Sequence, residues 1–279
     1  MIANTHYGYI GKSKEGFSYS GNYNLREDGV VELLTSGTIT FFDARVIDLF
    51  LVGGGGGGGS AIHENPGSTG YGGGGGGYTA TFKNVNIAKN ASFAVIVGKG
   101  GEALEDGEAS KFGEQYIADG GKTAGLHQIT SSFSSRIDGG NGGSGGGGGV
   151  SANSQYGGGG SNGGNGQRGG NTVNDSYSGK GQGTTTREFG ENTGKLYAGG
   201  GGGGRYYGSS SQPVVSKGGA GGGGTGAWGG SSMNNIQAAT AGVANTGGGG
   251  GGGATTYQAT ARTPGASGGS GIVCFRLAK

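Results

Sequence analysis

Eight glycine-rich runs dominate this chain, and four of them are pure: Gly53–Gly59, Gly72–Gly77, Gly199–Gly204 and Gly247–Gly253. The other four are interrupted in steps of three. Gly139–Gly149 carries Asn141 and Ser144, and Gly157–Gly170 carries Asn162, Asn165 and Arg168 in one phase. Gly218–Gly230 carries Thr225 and Trp228 in one phase, and Gly265–Gly271 carries Ser267 and Ser270. A flexible spacer has no reason to keep phase. A left-handed extended helix with three residues per turn does, because one row of side chains then faces water while bare backbone faces neighbours. Such a helix has no internal hydrogen bonds, so its N–H and C=O groups point outward and side-by-side copies pair with one another. Glycine is required wherever two backbones approach closely. The expectation is a bundle of polyglycine II helices, with Gly53, Gly56, Gly74, Gly201 and Gly250 as scaffold positions. Ordering a residue costs roughly 1–2 kcal/mol, whereas one net hydrogen bond returns about 0.5–1.5 kcal/mol. A lone run therefore does not hold its shape, but a bundle anchored on a β core does.

The composition removes several alternatives. Eighty glycines stand in 279 residues with only three prolines, and runs of seven glycines break any Gly-X-Y register, which excludes collagen. A net charge of +2 supplies no basic stripe, so nucleic acid is not an expected partner. Cys274 is the sole cysteine and forms no intrachain disulfide. The start, Met1 to Tyr7, has no apolar signal core, and no run of 18 apolar residues occurs. We expect a soluble chain, without membrane insertion or an ordinary secretion signal.

Apolar residues concentrate in 1–52, 78–137 and 272–277. Strands are expected at Phe17–Leu25, Val30–Leu34, Thr38–Phe42 and Val46–Val52, with a hairpin at Ser36-Gly37. Tyr78–Asn84 and Ser92–Val97 are expected to pair, followed by Ser110–Ile117 and Ile272–Leu277. Met233–Val243 is the only weak helical candidate. The fold class is all-β: an antiparallel β-sandwich-like core with an appended polyglycine II bundle and essentially no α-helix. Its parts are a β segment over 1–52, which also offers an attachment region, a glycine-rich bundle over 53–271 with strands inserted at 78–137, and a closing strand over 272–279. Val52 runs directly into Gly53, Gly77 into Tyr78 and Gly271 into Ile272. If successive runs alternate in direction, four loops share the far end: Ser60–Tyr71, Val150–Tyr156, Arg205–Lys217 and Ala254–Pro264. The loops Asn171–Ala198 and Ser231–Thr246 then lie at the near end. Tyr206 beside the loop that follows Trp228, rather than beside Tyr257, would reject that count.

Chemistry is sparse. The many Gly-x-Gly-x-x-Gly matches lack a strand–glycine–helix context. Gly121-Lys122-Thr123 and Gly11-Lys12-Ser13 imitate the end of a phosphate loop, but Tyr116 and His6 stand where its first glycine belongs. His6, His63 and His127 lie in separate segments without metal-ligand spacing. Glu102, Glu105, Asp106 and Glu108 lack the spacing of a calcium loop. No enzyme, metal or cofactor is expected. Binding has more support: Tyr156, Arg205, Tyr206, Tyr207, Gln212, Tyr257, Gln258, Arg262 and His63 fall in the far-end loops. Tyrosine among small polar residues gives rigid amphipathic contact area with adaptable hydrogen bonding. An alternative of nearly equal weight is that the tyrosines cap the run ends, as Tyr71 and Tyr78 suggest. Trp228, inside a run, reads as flank cover.

The order of Val46–Val52, Gly53–Gly59, a loop, Gly72–Gly77 and Tyr78-Thr79-Ala80-Thr81 then becomes informative. It continues through Ala94-Val95-Ile96-Val97-Gly98-Lys99-Gly100-Gly101, Ala109-Ser110-Lys111-Phe112-Gly113 and Gly268-Gly269-Ser270-Gly271-Ile272-Val273. Together these resemble the glycine-rich domain of phage and prophage tail proteins. The architecture is also similar to polyglycine II tip adhesins on the long tail fibres of T-even-like phages, from which the substantial β portion departs. The resemblance implies a virion protein of the phage tail, assembled in the host cytoplasm, that binds a bacterial surface glycan or outer protein. Its other partners would be tail proteins or further copies of itself. The alternative is a purely structural tail component whose loops contact other subunits. A third reading, ice binding, needs a flat regular face that arginine- and tyrosine-bearing loops do not supply.

Overall fold

The computed structural model describes residues 16–60, 69–130, 133–149, 186–206, 216–229, 236–255 and 262–279. Nine strands come first: β1 (Phe17–Tyr19), β2 (Tyr23–Leu25), β3 (Val31–Leu33), β4 (Gly37–Phe41), β5 (Arg45–Val52), β6 (Thr79–Ile87), β7 (Ser92–Ile96), β8 (Ser110–Phe112) and β9 (Tyr116–Ala118). Then come β10 (Gly125–Thr130), β11 (Phe133–Asp138), β12 (Arg205–Tyr206), β13 (Trp228–Gly229), β14 (Ile236–Gln237), β15 (Ala254–Thr255), β16 (Arg262–Thr263) and β17 (Ile272–Leu277). Helical backbone among the described residues is confined to 3-10 conformation at Thr186 and in the turn Glu188–Gly190.

Two five-stranded sheets, β1-β4-β7-β8-β9 and β2-β3-β17-β5-β6, face each other as a sandwich. Alternation along β5 builds two cores at once. Ile47, Leu49 and Leu51 point between the sheets, where they join Phe41, Phe112 and Phe275. Phe50 and Val52 point the other way, under Phe189 and Tyr197 of segment 186–198. The closing strand β17 lies in the middle of its sheet, between β3 and β5.

Pairing departs from the sequence order in four places. Phe17–Leu25 splits into β1 and β2, which belong to different sheets, and Ser36-Gly37 is a crossing between sheets, not a hairpin. Both crossings meet at one corner, where a Cβ on Gly37 would lie 2.7 Å from the Gly21 amide nitrogen. Backbone proximity there needs two glycines. β6 and β7 likewise separate into opposite sheets, and Ser110–Ile117 folds back on itself at Gly113, whose φ is +59°. Alternating apolar residues satisfy either sheet of a sandwich, so adjacency in sequence is a weak guide to pairing.

Beyond the sandwich the glycine runs hydrogen-bond with a period of three. Gly53, Gly56 and Gly59 donate to Tyr78, Gly75 and Gly72; Gly54 and Gly57 donate to Glu108 and Glu105; Gly55 and Gly58 donate to Gly269 and Ala266, all at 2.8–3.0 Å. The carbonyls of this run receive amides from three further segments, 98–104, 119–124 and 247–253. Every phase is therefore closed. A Cβ at Gly53 or Gly56 would fall on the carbonyl of Asp119 or Lys122, at Gly54 or Gly57 on that of Lys99 or Glu102, and at Gly55 or Gly58 on that of Gly248 or Gly251. Real Cβ atoms do not come within 3.0 Å of such atoms. All four pure runs are buried throughout, while Asn141, Thr225, Ser267 and Ser270 of the interrupted runs reach the surface in part or in full. Purity marks an interior position; the interruptions divide, with Asn141, Thr225, Ser267 and Ser270 reaching the surface while Ser144 and Trp228 are buried.

Sandwich and lattice are joined at Ser110. Its buried hydroxyl donates to the Val52 carbonyl (2.7 Å) and accepts the Gly98 amide (2.9 Å). Ser110→Ala leaves both groups unsatisfied, and is expected to lower stability by about 2 kcal/mol in urea denaturation.

The alternating-direction count fails. Gly199, Gly202 and Arg205 donate to Gly221, Gly224 and Ala227, so these two runs are parallel. The reversal sits inside the Gly218–Gly230 run, at Gly222, whose φ is +95°. The Gly139–Gly149 run also doubles back, at Asn141–Ser144. Residues 236–243, within the segment with a weak helical pattern, are extended: Thr240 donates to Thr225 and Val243 to Gly222. Close backbone approach in this segment falls at Gly242, where a Cβ would lie on the Gly248 carbonyl.

Candidate functional site

One pole of the lattice collects five short strands. β12 pairs in parallel with β13 (Arg205 with Trp228, Tyr206 with Gly229), and β13 pairs with β14. Ala254 and Thr255 of β15 pair with Thr263 and Arg262 of β16. A bridge from Gly70 to Ala254 ties the two groups to the second run. The lattice holds their roots: Tyr71 donates to Gly253, Gly204 to Tyr71, and Ala227 to Gly252. Thr69 and Thr255 bond reciprocally, the Thr69 amide to Thr255 Oγ1 (2.8 Å) and the Thr255 amide to the Thr69 carbonyl (2.9 Å).

Of the predicted contact residues, Arg205, Tyr206 and Arg262 come together at this pole. Arg205 is buried and Arg262 is exposed. Tyr156, Tyr207, Gln212, Tyr257, Gln258 and His63 lie outside the described residues. Tyr206 stands beside Gly229, the residue leading into the segment after Trp228, while Tyr257, the other half of that comparison, lies outside the described residues. Part of Ser231–Thr246 thus belongs to the loop pole, whereas 186–198 lies on the sandwich. The β10–β11 hairpin also rises beside Gly57 and Gly72, and the sequence reading missed it. Its signal was the short apolar pair Leu126 and Ile129 ahead of Ser131-Ser132.

Tyr71 is 1% exposed, and among the described residues its hydroxyl has no hydrogen-bond partner. Burial pushes the phenol up to about 12, against a smaller lowering by the Arg262 charge. The ring acts as a cap on its run. Trp228 is buried too, on β13, the middle strand between β12 and β14.

The phosphate-loop imitation at Gly121-Lys122-Thr123 is an extended lattice segment. Lys122 pairs with Asp106 (3.0 Å), and the Thr123 amide donates to the same carboxylate (2.8 Å). Among the described residues no group of three or more His, Cys, Asp or Glu converges, and no helix is long and apolar enough to cross a membrane.

A family model described as a glycine-rich domain matches residues 34–278. The chain belongs to this glycine-rich domain family. The match takes in β4 through β17, so the glycine-rich domain includes the lattice together with most of the sandwich. No curated protein matches the sequence.

Proposed function

We propose that this glycine-rich domain is a receptor-binding adhesin of a phage tail, built on polyglycine II packing and directed at a glycan or protein of the bacterial surface. The carrying observation is the loop pole, where five short strands converge with their roots held by backbone hydrogen bonds. Such a frame lets connecting segments vary without disturbing the fold. The segments there are rich in tyrosine, serine, threonine and asparagine, residues suited to sugar rings and to polar protein surfaces. Several copies on one virion would raise avidity without new contacts. In this reading the protein resides in the virion and is assembled in the host cytoplasm. Replacing Tyr206 and Tyr207 together by alanine is expected to reduce binding of the isolated domain to host cells while leaving its melting unchanged. Undiminished binding would count against this face.

A second reading, a structural tail component that contacts neighbouring subunits, draws on the burial of Tyr71, Arg205 and Trp228, which makes part of the pole a cap. Binding of the isolated domain to whole cells separates the two.

A further inference from the structure

Three stretches of chain run from one end of the molecule to the other without a turn. Residues 45–59 pass from β5 into the first run, 70–87 from the second run into β6, and 262–277 from the loop pole through the last run into β17. They span roughly 45–55 Å at about 3.1–3.4 Å per residue. They are laced side by side. The β5–β6 ladder, from Arg45↔Ile87 to Val52↔Thr79, continues as Gly53 to Tyr78, Gly56 to Gly75 and Gly59 to Gly72. The β5–β17 ladder, from Ile47↔Leu277 to Val52↔Ile272, continues as Gly55 to Gly269 and Gly58 to Ala266.

Both described chain ends lie at the base of the sandwich, opposite the loops. The Gly16 carbonyl receives the Arg45 guanidinium (3.0 Å) and the Phe42 amide (3.0 Å), and the Ala278 amide bonds to Val46 (3.0 Å). A load applied between the loop pole and the chain ends therefore acts along the strand axes.

We propose that the domain is a tie, in which tension between loop pole and chain ends is carried as shear along these ladders. In that direction every hydrogen bond of a ladder is loaded together. A force across the strands opens them one at a time. The proposal goes beyond the adhesin reading, because it needs no receptor and survives if the loops bind none.

Single-molecule pulling on the full chain tests it. One geometry joins a handle on Lys279 to a thiol handle at Gln237→Cys; Gln237 is exposed on β14, and the native Cys274 is fully buried and does not compete. The other geometry places handles on the two chain ends, which peels the sandwich from its base. The expected result is a several-fold higher rupture force from pole to base, in one event. Equal or lower force in that geometry, or stepwise opening at low force, would overturn the proposal.

Discussion

Gly74→Ala is expected to destabilise the protein by about 3 kcal/mol and to lower its melting temperature by roughly 10 °C. Gly74 donates to Gly250 and accepts from Gly201, so it lies between two other runs. An added Cβ would press on the Gly56 carbonyl and stand 2.8 Å from that of Gly57. These are backbone atoms held by their own bonds, and they have no rotamer to escape into. Interior positions of packed side chains relax around an extra methyl; a lattice of main chains relaxes only by parting. Ser267→Ala is the control. It lies on the outward phase of the last run, and a change within about 0.5 kcal/mol is expected there. Equal losses from both substitutions in a chemical denaturation series would show that the runs are not close-packed.

The second large effect is expected at Arg276. Segment 186–198 covers the outer face of the sheet containing β5, and charge pairs fasten it there. Arg276 reaches Asp48 at 3.3 Å and Glu191 at 2.5 Å, and its guanidinium stacks 4.1 Å above the Phe189 ring. Arg276 and Asp48 are both buried. Arg276→Ala strands the Asp48 carboxylate with only Lys83 and the Asn84 amide, and is expected to cost about 3–5 kcal/mol. The same pairs set an acid limit. Burial raises the Asp48 carboxyl, but hydrogen bonds from Asn84, Lys83 and Arg276 outweigh it and hold the group below its ordinary value. The hydrogen bond from Arg276 lowers Glu191 in the same way. Folded values below unfolded ones mean that this stability is present above the unfolded carboxylate pKa, near 4, and is lost as pH falls through the folded values. Arg276→Ala should flatten that acid limb, which denaturation midpoints between pH 2 and pH 6 would show.

The lattice was legible because its chemistry is written in period three. Where all phases are glycine the run is surrounded, and where Asn141, Thr225 or Ser267 interrupts, one phase meets solvent. The direct entries at Gly53, Tyr78 and Ile272 were equally readable, since an extended chain crosses from lattice to strand without a turn. Direction was not. Gly222 turns the chain inside a run with the same residue that elsewhere continues it, because glycine alone adopts both conformations freely. Nor did glycine mark every lattice member: 98–104, 119–124 and 236–243 join it with lysine, glutamate, alanine and threonine on open phases. In the sandwich the strands were legible but their partners were not: the hairpin expected at Ser36-Gly37 and the pairing expected between Tyr78–Asn84 and Ser92–Val97 both proved to be crossings between sheets, because alternating residues suit either sheet. At the loop pole, β12 and β16 came from expected loops, while β13, β14 and the β10–β11 hairpin arrived through reversals that the sequence does not advertise.

The central position of β17 bears on synthesis. A ribosome adding about 5–20 residues per second needs roughly 10–45 s to travel from Val52 to Ile272. Until then β3 and β5 are separated by an empty slot, and Phe50, Leu51 and Val52 lack the neighbour that covers their edge. The nascent chain must wait with an apolar strand unprotected, so its yield in the cell should depend on holdase chaperones more than on the rate at which glycine runs zip together.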